Sequence, residues 1–285
     1  MKKTPLLCRY ERTLALVNDD LCFTEIANFE FERIIDALPV DSDIKYTVDV
    51  FYNNPFAIRL FRKVDDLPFF MTRSAIASRR MAVLCGYEIL AAYLEDAQDH
   101  RSKLQPTPQD SLIMDVLEEQ VAARIEAWSP GLAGRKYFRT IGYLRHLRNS
   151  FAHAHDGPSP ELASYAAVYS HDLSKFWENG KTDIGGLSFR ELPHQELTAE
   201  AALGLINLMR VCLREVDRLF AATYREQAII DAVVADVWRD SPQVRMVPAR
   251  FSAKVRSAIE DGYGERLPVE HIQAAVVDFT NRNAE

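Results

Sequence analysis

Residues 128–155 hold the densest grouping of side chains able to do chemistry on an anion. Between Trp128 and His155 the chain carries Arg135, Lys136, Arg139, Arg145 and Arg148, with His146, His153 and His155, and no Asp or Glu. The whole chain has 34 Lys and Arg against 41 Asp and Glu, a net charge of −7. A uniformly acidic surface would repel a polyanion, so a local reversal of sign is what binding one requires. Within the stretch, Arg148-Asn149-Ser150-Phe151-Ala152-His153 places an Arg and a His with four residues between them. An Arg keeps its charge and forks two donors onto phosphate oxygens. A His changes charge near neutral pH and serves as acid or base. That pair suits a phosphodiester that brings its own nucleophile, as RNA does with its 2′-hydroxyl. No metal or cofactor is then needed, and the expected products are a 2′,3′-cyclic phosphate and a 5′-hydroxyl.

Helix geometry constrains this reading. Five residues of a continuous helix subtend ~500°, which sets Arg148 and His153 about 140° apart. Either the helix ends or bends between them, or the length of Arg148 bridges the gap. Asn149 and His153 do share a face with His146. Asn149 is therefore read as an orienting or phosphate-contacting residue beside the catalytic candidates Arg148 and His153. Arg135, Lys136, Arg139, Arg145 and His146 are read as RNA-binding. The plainer reading of the motif is a structural pair at a helix end, where the dipole favours cations. For Arg135, Lys136 and Arg139 it is a solvated helix face.

Other combinations carry less. In His153-Ala154-His155-Asp156 the two His are two apart and do not share a helix face, and no Cys or carboxylate cluster completes a ligand set, so no metal site is expected. Cys8, Cys22, Cys85 and Cys212 are scattered without a CxxC pair, which fits a reducing cytoplasm. Cys85 and Cys212 lie among apolar residues and read as buried. Tyr165 and Tyr169 read as core or interface, and His171-Asp172 as a local surface pair.

The elements that must position the motif are helical. With 285 residues, 48% of them apolar, the chain can bury a sizeable core, and only 11 Gly and 13 Pro argue against a turn-rich β fold. The expected fold class is an all-α helical bundle over residues 72–225, with an N-terminal extension over 1–71, mixed or helical, and a C-terminal helical extension over 226–285. The pattern predicts helices from Thr24 to Ala37 with Thr24 as cap, Ala75 to Glu95, Ser111 to Trp128, Gly134 through the motif, Glu161 to Trp177, and onward from Thr198. A short strand is expected from Ile44 to Phe51. Residues 178–196 read as a loop with a small hairpin. Three shorter helices are expected after Ile229. No apolar run suits a signal peptide or a membrane span, so a soluble cytoplasmic protein is expected.

Arg148-Asn149-Ser150-Phe151-Ala152-His153 resembles the signature of the HEPN superfamily, an Arg followed after four to six residues by a His, often with a polar residue after the Arg. Those are small all-α domains, many of them ribonucleases of toxin–antitoxin and phage-defence systems. The resemblance covers about residues 72–225. It implies a metal-independent endoribonuclease acting on RNA, a homodimer that brings two copies of Arg148 and His153 to one cleft, and an antitoxin or regulatory protein as a possible partner. The alternative is a helical regulator, or a nucleic-acid- or protein-binding module, that keeps the bundle without the chemistry.

Overall fold

The computed structural model describes residues 1–38, 45–132, 134–153, 158–180, 182, 184, 187–190, 197–245 and 247–283. Among the described residues the protein is all-α, with eleven α-helices and no strand. In chain order they are α1 (Leu7–Asp36), α2 (Thr47–Val50), α3 (Pro55–Leu60), α4 (Leu67–Leu104), α5 (Leu117–Trp128), α6 (Arg135–Ala152), α7 (Pro160–Glu178), α8 (Ala199–Ala222), α9 (Glu226–Asp240), α10 (Pro248–Tyr263) and α11 (Val269–Arg282). No helix among the described residues is long and apolar enough to cross a membrane. The chain divides into two compact units, and α1, α4, α6 and α8 supply residues to both.

The first unit is Met1–Thr13, Tyr87–Arg145 and Leu208–Glu285. Its core takes Tyr93 and Leu94 from α4, Val121 and Ile125 from α5, Ile141 and Leu144 from α6, and Val216 and Phe220 from α8, all buried. The three C-terminal helices share a cluster around Ile230, Val234, Phe251, Val255, Ile259 and Ile272. Burying each such side chain stabilises by about 1.5–3 kcal/mol, which is why these short helices hold together. Gly134 starts α6, and its carbonyl accepts the N–H groups of Tyr137 and Phe138. A Cβ there would press on Leu219 Cδ1, so a larger residue would require the leucine side chain to shift. Asp217 is buried and anchors the first residues of the chain. It accepts hydrogen bonds from Thr4 N at 3.0 Å, Thr4 Oγ1 at 2.5 Å and Tyr93 OH at 2.8 Å. Burial raises its pKa above the ordinary carboxylate range, and the bonds from Thr4 and Tyr93 oppose that rise.

The second unit is Leu14–Gly86 and His146–Asn207. A bidentate ion pair joins α1 to α4 within it. Arg79 Nε and Nη2 each lie 2.7 Å from a Glu25 carboxylate oxygen, and Arg79 Nη1 donates to Leu197 O. Leu147, Leu162, Leu173, Trp177 and Leu197 are buried. Residues 14–86 behave differently. Of the 19 large apolar side chains exposed among the described residues, 12 lie there, from Leu16 and Phe23 to Phe69 and Met81.

Several expectations are corrected. The first helix begins at Leu7, not Thr24. Thr24 is interior, and its hydroxyl bonds back to Asp20 O at 2.8 Å. The segment expected as a strand holds helix α2, because Asp49 Oδ2 accepts the N–H groups of Lys45 and Tyr46 and caps a turn. Ile44 lies outside the described residues. Helix α5 begins at Leu117, since Ser111 closes a 3₁₀ turn over Pro108–Ser111. Cys85 is exposed, while Cys212 is buried as expected. The described part of 178–196 contains no strand, and Gly185-Gly186 falls outside it. Thr198 does cap α8, its Oγ1 accepting Ala201 N at 3.1 Å.

Candidate active site

Helix α6 carries the motif in its last turn. The helix ends at Ala152, yet the N–H of His153 still bonds to Asn149 O at 3.1 Å. His153 is therefore the first residue past the helix, held at the end of an unbroken hydrogen-bond ladder. Arg148 Nη1 donates to Asn149 Oδ1 at 3.0 Å. Its guanidinium is thus drawn toward the residue that sits one turn before His153 on the same face. Arg148 and Asn149 are half-buried and His153 is exposed.

The end of α6 is pinned. Ser150 is buried, and its Oγ accepts the Ser159 N–H at 3.1 Å. Ser159 in turn caps α7 by accepting Leu162 N, with Pro160 at the first helical position. Residues 154–157 lie outside the described residues, and with them the His155 and Asp156 of the metal reading. Among the described residues no group of three or more His, Cys, Asp or Glu is placed to hold a metal ion.

Two shallow depressions of the second unit involve residues around the motif. One, about 390 Å³, is lined by Phe69, Thr72, Arg73, Ile76, Ala77 and Arg80 of α4. Arg80 also lies over the ring of Phe151, 5.5 Å from its centroid. A cation–π contact of this kind is worth about 0.5–1 kcal/mol and ties an α4 arginine to the motif. The other, about 470 Å³, is lined by His146 and by α7 residues including Tyr165, Val168 and Tyr169. His146 and Tyr165 have ring centroids 4.8 Å apart, and Tyr165 and Tyr169 4.7 Å apart. The tyrosines are half-buried in a surface aromatic row. Arg73, Arg80 and this row escaped the sequence, because their link to the motif is spatial. The one legible signal was Tyr165 and Tyr169 at helical spacing.

The remaining basic residues lie in the first unit. Arg135 is exposed, and Lys136 and Arg139 are half-buried. Arg145 has a structural bond: its Nε lies 2.8 Å from Glu118 Oε1, and the Glu118 side chain is only 4% exposed. Much of its charge is therefore directed inward.

No protein-family model, curated protein or solved structure matches the chain.

Proposed function

We propose that the protein is a metal-independent endoribonuclease of the HEPN type, with Arg148 on the transition-state phosphate and His153 as the proton-transfer group. The observation that carries this reading is the folded-back Arg148. Its guanidinium lies on Asn149 Oδ1 at 3.0 Å, at the end of a helix whose next residue is the exposed His153. Arg and His can then meet one phosphate.

The reaction balances without a co-reactant. A base takes the 2′-hydroxyl proton, the 2′-oxygen attacks phosphorus, the bond to the 5′-oxygen breaks, and an acid protonates that oxygen. One His serves one end, so a homodimer would supply the second His153. Arg148 stabilises charge on the non-bridging oxygens, and Asn149 orients it. Arg73 and Arg80 would hold neighbouring phosphates. Such a nuclease would act as a toxin or defence effector restrained by an antitoxin or regulatory protein.

The test is incubation of purified protein with end-labelled single-stranded RNA in excess EDTA, beside His153→Ala. Shortened products ending in a 2′,3′-cyclic phosphate, formed only by the wild type, are expected. Cleavage that needs added metal, or equal cleavage by both proteins, would overturn the reading.

The aromatic row of His146, Tyr165 and Tyr169 favours a second reading, a module that stacks nucleobases without cutting. It predicts saturable binding, RNA of unchanged length, and weakening by Tyr165→Leu rather than by His153→Ala.

A further inference from the structure

A groove in the second unit, unrelated to the motif, has the chemistry of a docking site. It has a volume of about 490 Å³ and lies between α1 and α4. Phe29, Ile35, Met71 and Ala75 supply its apolar surface, and Glu32 and Asp36 its acidic edge. The Glu25–Arg79 ion pair also lines it. Phe29 is 65% exposed, and Phe23 and Ile26 on the same helix are 73% and 63% exposed. Large aromatic and aliphatic side chains left in water at this density mark an interaction surface rather than ordinary surface variation. Asn28 also lines the groove, and its buried Nδ2 has no hydrogen-bond acceptor. A buried amide donor left so is unfavourable, and an incoming acceptor would satisfy it.

Charge selects the occupant. From Leu14 to Asp36, α1 holds Asp19, Asp20, Glu25, Glu30, Glu32 and Asp36 against one base, Arg33. Arg33 pairs with Glu30 and Arg79 with Glu25. Asp19, Asp20, Glu32 and Asp36 have no ion pair among the described residues. An apolar groove with an acidic rim matches a helix that carries an apolar stripe flanked by Lys or Arg. A nucleic acid or an anionic membrane would be repelled.

We propose that this groove receives a basic amphipathic helix of a partner protein, with apolar residues between Phe29 and Met71 and Lys or Arg opposite Glu32 and Asp36. The inference stands independently of any RNA cleavage.

The test uses a fluorescein-labelled 18-residue Leu/Lys amphipathic helix as probe, read by anisotropy against the full-length protein. Saturable binding is expected, weakening as salt rises, and reduced roughly ten-fold in Glu32→Lys/Asp36→Lys and in Phe29→Ser. The same peptide with Glu for Lys should not bind. Circular dichroism melts check that each variant is folded, and the salt dependence of the wild type stands without any variant. Three results would overturn the proposal. One is no saturable binding. Another is equal loss in the control Asp115→Lys/Glu119→Lys, which would indicate unspecific attraction. The third is concentration-dependent self-association abolished by Phe29→Ser, which would show that the groove receives a second copy of this chain.

Discussion

Two arginines in the second half of α6 show how the same side chain can take different partners. Arg145 and Arg148 are one turn apart on one helix, both half-buried. Arg145 is bonded to Oε1 of Glu118, a carboxylate almost entirely withdrawn from water, whose Oε2 has no hydrogen bond. Its charge compensates a desolvated anion. Arg148 donates to the neutral side-chain amide of Asn149, the next residue along. A basic stretch is therefore not a uniform ligand-binding surface. A positive residue facing a buried carboxylate serves the fold, whatever the rest of the stretch binds.

This contrast can be broken by substitution. The largest effect is expected from Arg148→Ala, which should slow RNA cleavage roughly 10²- to 10³-fold through lost transition-state stabilisation. Its unfolding free energy from urea titration should fall by less than that of Arg145→Ala. Arg145→Ala should do the reverse. It leaves Glu118 buried without its cation, a change worth 3–5 kcal/mol for a fully buried pair and about 2–3 kcal/mol here, because the Arg145 side chain is 25% exposed. Equilibrium denaturation measures that loss, and double substitution with Glu118→Gln should restore part of it. A smaller effect is expected from Arg80→Ala. RNA affinity should fall a few-fold, with the slope of log affinity against log salt reduced by about 1. An unchanged slope would remove Arg80 from the proposed RNA-binding surface.

The smallest effect concerns Asp217, outside the contrast and useful as a background check. Burial raises its pKa in the folded protein. A raised carboxylate favours the folded state most at acid pH, and that contribution is lost as pH rises through the folded pKa. Asp217→Asn should therefore flatten stability against pH in the window just above the ordinary carboxylate range. Identical slopes for the two proteins would contradict this.

How much was legible in the sequence follows where each segment buries its apolar residues. Helix α6 was readable because Ile141, Leu144 and Leu147 repeat at helical spacing and are all fully buried. The three C-terminal helices were readable for the same reason, helped by prolines that mark the breaks, and Thr198 because its hydroxyl suits a helix cap. The helices expected from Thr24 and from Ala75 lie in α1 and α4, but both helices start earlier, so the first 86 residues were read only in part. Their apolar side chains include Phe23, Ile26, Phe56, Ile58 and Phe61, which face water, so spacing reported no core face. Helix α4 begins at Leu67 rather than near Ala75, with Pro68 in its first turn, a position where proline supports a helix rather than breaking it. At the site, the angular separation of Arg148 and His153 was foreseeable from helix geometry, but the folding of Arg148 onto Asn149 was not. The contribution of Arg80 depends on packing between α4 and α6 that no local pattern encodes.

The account turns on one measurement, the single-turnover rate of RNA cleavage in EDTA by His153→Ala and by Arg145→Ala, at a temperature where both are folded. A loss of roughly 10²- to 10⁴-fold for His153→Ala, with Arg145→Ala within a few-fold of wild type, is the predicted result. Equal rates in the two variants, whether unimpaired or equally reduced, would contradict it.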